Sequence, residues 1–318
     1  MGRILFSILL SFFSLFFVHS VQAASCTISP GTANFGSINS FIIQSTSQII
    51  SGTTGFKCTG GNISILGTNY VNATISSTNN QNGTVPRLKH STSTNYIPYN
   101  LCQEASCTTN YQVGSIIQWK STTLLGLLGL FSGADGSLPI YLKTAIGSNI
   151  PAGTYTDIIN IQWDWKLCDL GLLGACLFSE GSGSSTINVS LDVSNICAIE
   201  SPPNVNFGSA ALPSSFNAIN SNVLQTRCTK DANYSIKLTS TQGEIDGMRQ
   251  MLATVNGSNY YLQYQLYRSG VAWTSTNDLG MTGLGTIQDI PYQAKINADQ
   301  QNIPAGSYSD TVTVTITY

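Results

Sequence analysis

The chain spells one pattern twice, and that repetition confines it to folds that can be built in tandem. "CTISPGTANFGS" (Cys26–Ser37) returns as "CAIESPPNVNFGS" (Cys197–Ser209). "FKC" ending at Cys58 answers "TRC" ending at Cys228, and "IPAGTYTD" (Ile150–Asp157) answers "IPAGSYSD" (Ile303–Asp310). Each copy then enters an alternating segment. Ile159, Ile161, Trp163 and Trp165 would share one face of a strand in the first copy, and Val312, Val314, Ile316 and Tyr318 in the second. Pro and Gly punctuate short alternating runs throughout, and no long stretch carries the 3.6-residue period of an amphipathic helix. The expectation is all-β, with two copies of one sandwich domain, residues 24–194 and 195–318.

The eight cysteines fit this frame. Cys26 and Cys58 stand where Cys197 and Cys228 stand, so the pairs Cys26–Cys58 and Cys197–Cys228 are expected. Each bridge would close a loop of about thirty residues, worth ~3 kcal/mol in the chain-entropy picture. Cys102–Cys107 and Cys168–Cys176 remain, each close enough to staple a short loop, although the sequence leaves other pairings open. Disulfides imply export. Arg3, the apolar run Ile4 to Val18, and the small residues Val21 and Ala23 read as a signal peptide, residues 1–23. The run is shorter than the ~20 apolar residues of a membrane span.

Composition removes several function classes. The formal net charge is -2, which gives no electrostatic case for nucleic acid or an anionic membrane. Of the 2 histidines, His19 falls in the signal, leaving His90 alone in the mature chain. Zinc would need thiolates for nearly every ligand, and a Ser-His-Asp arrangement has little to draw on. No enzyme activity, metal or cofactor is expected. His90, in "RLKHSTST", reads as part of a solvated loop.

The copies also differ. Cys58 and Ile150 are 92 positions apart and Cys228 and Ile303 are 75 apart, so the first copy is longer by 17. "LLGLLGLF" (Leu124–Phe131) lies in that stretch. Beyond the IPAG strand the second copy ends at Tyr318. The first continues through a second LGLLG, in "CDLGLLGACLF" (Cys168–Phe178), into "STINVSLDV", where Ile187, Val189, Leu191 and Val193 alternate as a further strand. The second copy thus lacks its last strand. A sandwich missing a strand has an apolar groove and unpaired backbone, here with Val312, Val314, Ile316 and Tyr318 along its edge.

Cys…NFGS, "YQLYRSGVAW" (Tyr264–Trp273), and IPAGxYxD before a terminal alternating strand resemble the spore coat U domain family, over the whole mature chain as two domains. The second copy matches better. The first has "IPYNLC" (Ile97–Cys102) where the second has "YQLY", and no Trp follows at the same distance. Subunits of archaic, Csu-type chaperone–usher pili belong to this family, and a two-domain member looks like the tip adhesin. The resemblance implies incomplete immunoglobulin-like sandwiches. A periplasmic chaperone fills the gap, and at the usher the N-terminal extension of the adjacent pilin completes the domain as a donor strand. Only Ala24 and Ser25 separate the expected cut from Cys26. This subunit is therefore expected to accept a strand and give none, at the cell-surface end of a fibre.

The LGLLG segments admit two readings. As core, glycine at every third position costs roughly 0.5–1 kcal/mol each in a regular element, and a strand sends adjacent leucines to opposite faces. As exposed tips, both are additions to a domain that builds its core without them, and both fall in expected connections, the second between Cys168 and Cys176. The tip reading is preferred. It assigns surface binding to Leu124, Leu125, Leu127, Leu128, Leu130 and Phe131, and to Leu170, Leu172, Leu173 and Leu177. A weaker third candidate is "NISILGTNY", with Ile65 and Leu66, although it lies in the shared frame, where an edge strand is the preferred reading. The partners would be apolar abiotic or host surfaces, and the outcome attachment and biofilm formation. The alternatives are a sugar-binding tip, suggested by Asp164 between Trp163 and Trp165, and a spore or surface-coat building block. In the first case both tryptophans are expected inward with Asp164 outward. The second is disfavoured by the missing donor segment. "YYLQYQLY" (Tyr260–Tyr267) is expected to place Leu262, Tyr264 and Leu266 in the core.

Overall fold

A computed structural model describes residues 25–59, 69–121, 131–172 and 175–318, with backbone alone at 59, 121, 168–172 and 175–177. Among the described residues the fold is built from strands, with one short α-helix, α1 (Ser40–Ser45), capped by the Asn39 side chain on the Ile42 N–H. Among the described residues no helix is long and apolar enough to cross a membrane.

The first half holds β1 (Ser25–Ile28), β2 (Gly31–Asn39), β3 (Ile49–Thr53), β4 (Phe56–Thr59), β5 (Asn69–Thr78) and β6 (Arg87–His90). It continues with β7 (Tyr96–Cys102), β8 (Ile116–Ser121), β9 (Pro139–Thr144), β10 (Gly153–Leu172) and β11 (Ala175–Ser194). The second half holds β12 (Cys197–Ser201), β13 (Ile219–Cys228), β14 (Asn233–Ser240), β15 (Glu244–Ile245) and β16 (Met248–Val255). β17 (Ser258–Arg268), β18 (Val271–Ala272), β19 (Leu279–Thr282), β20 (Gln288–Ile296) and β21 (Val312–Thr317) complete it. Each half has its own apolar core between packed sheets.

Two strand orders recur between the halves. The order β6-β7-β9-β3 in the first half recurs as β16-β17-β20-β13, and β8-β5-β10 recurs as β19-β14-β21. Cys26 faces Cys58 across β1 and β4, as Cys197 faces Cys228 across β12 and β13, and both pairs are bonded. Cys102 and Cys107 are bonded as well. The Cys168–Cys176 pair lies outside the described side chains.

The shared motif has a physical role. Tyr155 folds back to donate to the Pro151 carbonyl at 2.8 Å, and Tyr308 to the Pro304 carbonyl at 2.7 Å, so the tyrosine closes the IPAG turn. The following aspartate receives a tyrosine from another strand, Tyr99 of β7 on Asp157 at 2.9 Å and Tyr264 of β17 on Asp310 at 2.6 Å. "IPYNLC" is therefore no departure from the pattern. Ile97, Tyr99 and Leu101 are buried as Leu262, Tyr264 and Leu266 are, and proline merely replaces an outward residue.

Other expectations need correction. His90 is not in a solvated loop. It ends β6 at 7% exposure, packs edge-on against Tyr155, accepts from the Thr92 N–H at 3.2 Å and reaches the Ala152 carbonyl at 3.1 Å. The run "GSGSS" (Gly181–Ser185), which the sequence reading did not assign, lies inside β11. Small residues are needed there: a Cβ on Gly181 would stand 2.3 Å from Trp165, and one on Gly183 2.6 Å from Ile28. Residues 170–172 of the second LGLLG are likewise strand and not loop, at the end of β10. The ladder runs to the pair Leu172↔Ala175, so the motif ends a long hairpin.

Candidate functional site

β10 and β21 are the same strand in the two halves, in different surroundings. In the first half β11 lies antiparallel to β10 and parallel to β2, closing the sandwich. Its Ile187, Val189, Leu191 and Val193 are buried, and under them Tyr155, Asp157, Ile159, Ile161 and Trp163 are at most 2% exposed. In the second half β21 pairs with β14 alone, and the segment matching β2, residues 202–210, forms no ladder among the described residues. Between them runs a groove of about 460 Å³. Val205 and Phe207 wall one side, Tyr308, Val312 and Val314 the other, and Leu238, Met251 and Trp273 contribute to the lining. Val312, Val314 and Ile316 are half-buried, while Tyr318 lies past the strand at 57% exposure.

The groove is apolar with a few anchored polar groups. Asp310 accepts from Tyr264 and from Ser240, each at 2.6 Å. Burial, with the Asp310 carboxylate alongside, holds the Tyr264 hydroxyl far above its usual range. The sequence reading missed Arg249, which is fully buried beneath this sheet. It pairs with Glu244 at 3.2 Å and donates to Gln265, which itself donates to the Gly247 carbonyl. An isolated "MRQM" gives no sign that its arginine faces inward.

The second candidate region is the far end of the first half. Asn69 pairs with Ser121, and Tyr70 pairs with both Lys120 and Lys166. The flanks of 60–68, 122–130 and the β10–β11 tip thus leave the sheet at one end. In the second half the matching connections are the short turns Thr229–Ala232 and Gly283–Ile287. Segment 60–68 is therefore also an addition to the shared frame, not part of it. Ile65, Leu66, Leu124, Leu125, Leu127, Leu128, Leu130 and Leu173 lie outside the described residues, as do the side chains of Leu170, Leu172 and Leu177. Phe131 does not serve as a tip: it turns inward, stacked on Phe56 at 6.4 Å and packed on the core.

Trp163 is buried and Trp165 packs against the core, while Asp164 faces solvent and accepts from Asn72 at 3.2 Å. Among the described residues no cluster of His, Cys, Asp and Glu could hold a metal ion.

The spore coat protein U domain model matches residues 12–162 and again 184–315, and the chain belongs to that family. Among solved structures, the chain is similar to the tip adhesion subunit in the CsuC–CsuE chaperone pre-assembly complex from archaic chaperone–usher Csu pili of Acinetobacter baumannii. The TM-score is 0.60 at 21% identity, over 93% of this chain and 100% of that one. The CupB6 tip adhesin of Pseudomonas aeruginosa aligns over 93% of both chains at 13% identity, with a TM-score of only 0.35. No curated protein matches the chain.

Proposed function

We propose that the chain is the two-domain tip adhesin of a chaperone–usher pilus. In this reading residues 24–194 form the adhesive domain and residues 195–318 a pilin domain that accepts a strand. The observation that carries it is the contrast between β10 and β21: one strand, sealed by its own β11 in the first half and open in the second. The first half is a template for what is missing. An incoming strand would run antiparallel to β21 and parallel to 203–209, with alternate apolar residues taking the places of Ile187, Val189, Leu191 and Val193. Chaperone and adjacent pilin are the natural suppliers, with the usher as the site of exchange and the cell surface as the destination after signal cleavage. The likeness to a chaperone-bound tip subunit supports this.

Adhesion is assigned to the free end of the first half. The flanks of 60–68 and 122–130 lie with the β10–β11 hairpin at one end of one sheet, these segments carry the LGLLG leucines together with Ile65 and Leu66, and exposed apolar clusters mark binding sites. Each leucine buried on an apolar surface contributes ~1.5–3 kcal/mol before association costs, so a few could hold an abiotic or host surface without a specific receptor. Polar replacement of Leu127, Leu128, Leu172 and Leu173 should leave pili assembled and cut attachment to hydrophobic plastic and biofilm formation severalfold. Undiminished attachment at normal piliation would sink the apolar-tip reading. Blocking of attachment by a soluble sugar would favour a lectin instead.

A further inference from the structure

The two halves of this chain dock head to tail, and the joint has a recognisable construction. β11 ends at Ser194, two residues follow, and β12 begins at Cys197. The turn after Cys228 then seats on the opposite end of the first half. Thr229 is fully buried, bonded to Ser40 at 2.8 Å and to both backbone groups of Ile196. Arg227 lies 3.8 Å over the Phe41 ring, Lys230 donates to Asn95 at 3.0 Å and bridges Pro151, and Asn149 donates to the Leu284 carbonyl at 2.9 Å.

The second half carries the same end, bare. Aligning Asn34 with Asn206 puts Leu212 and Pro213 where Ser40 and Phe41 stand, and a 3-10 turn (Pro213–Ser215) replaces α1. Asn302 and Pro304 stand where Asn149 and Pro151 do, and the β16–β17 turn replaces the β6–β7 turn that carries Asn95. The local packing matches: Gly153 approaches His90 as Gly306 approaches Val255 and Ala253. Yet Ser40 is 5% exposed and Leu212 is 45% exposed.

We propose that this end of the second half is a docking face for the folded body of the subunit whose strand fills the groove, arranged as the second half is on the first. The inference rests on the strand-acceptor reading. In the first half Val193 sits opposite Gly153 just before the chain crosses into the next domain. A strand in the groove at the same register ends opposite Gly306, and its own domain is delivered onto Leu212 and Asn302. The connection is covalent, so the second contact forms at high effective concentration. The partner's chemistry also follows. Leu212 in place of the Ser40 hydroxyl calls for an aliphatic residue where the second half uses Thr229, on a family domain whose turn follows its second disulfide cysteine.

The test uses pili assembled from the full-length chain, with p-benzoylphenylalanine replacing one residue at a time: Leu212, Asn302, Val314 in the groove, or the remote exposed Ile245. Irradiation should cross-link the adjacent pilin from Leu212, Asn302 and Val314 but not from Ile245, and Leu212→Glu should reduce the Asn302 yield severalfold while sparing the Val314 yield. Cross-linking from Val314 alone would overturn the docking face and leave the strand-acceptor reading standing. No cross-link from Val314 would remove that reading, and this inference with it.

Discussion

Asp157 is 2% exposed and receives the Tyr99 hydroxyl, the Asn80 N–H at 3.1 Å and the Ile158 N–H at 2.9 Å. Burial nevertheless outweighs these bonds and holds its carboxyl above the ordinary value of 3.8. The folded protein thus binds this proton more readily than the unfolded chain, and stability from this group falls as pH rises through the raised value. Acidifying from neutral into the window above 3.8 should raise the unfolding temperature, and Asp157→Asn should flatten that dependence. Fluorescence can follow it, since Trp119, Trp163 and Trp165 report on the first half. Tyr99→Phe leaves the carboxylate one donor short and should cost ~1–2 kcal/mol in denaturant unfolding. The sequence displayed the aspartate through its repeat. It did not display Tyr99 as the partner, because proline at 98 disguised a strand whose inward residues are unchanged.

Among the elements, β11 separates the halves. Its last residues, Ile187 to Val193, were legible as a strand from strict alternation. Its middle was not, because Gly and Ser at 181–185 have low strand propensity. They are strand because Trp163 and Trp165 fill the space across the ladder: Trp165 pairs with Gly181, and Trp163 donates to Ser185 at 2.8 Å. Gly181→Val should therefore destabilise by ~1–3 kcal/mol through overpacking despite improving local propensity. Leu191→Ala, which empties the sealed core, should cost roughly 2–5 kcal/mol. Equilibrium urea unfolding distinguishes both from an unaffected protein. A neutral Gly181→Val would show that the tryptophan can move aside.

At the scale of the whole molecule, the joint fixes which end of each half is free. Removing its contacts with Arg227→Ala and Thr229→Val should let the halves swing about residues 195–196, seen as a larger maximum dimension in small-angle scattering of the full-length chain. An unchanged profile would mean that the short linker alone sets the geometry. The sequence by itself determined the all-β class, the tandem repeat, the two disulfides common to both copies and the extra strand of the first half. These follow from spacing and alternation, which are local properties of the chain. Only the tertiary structure decided that Phe131 and His90 turn inward, and that the flanks of 60–68 and 122–130 lie with the β10–β11 hairpin at one end of one sheet. Those facts depend on which strands become neighbours and on what side chains meet across a packed core, and no local pattern encodes either.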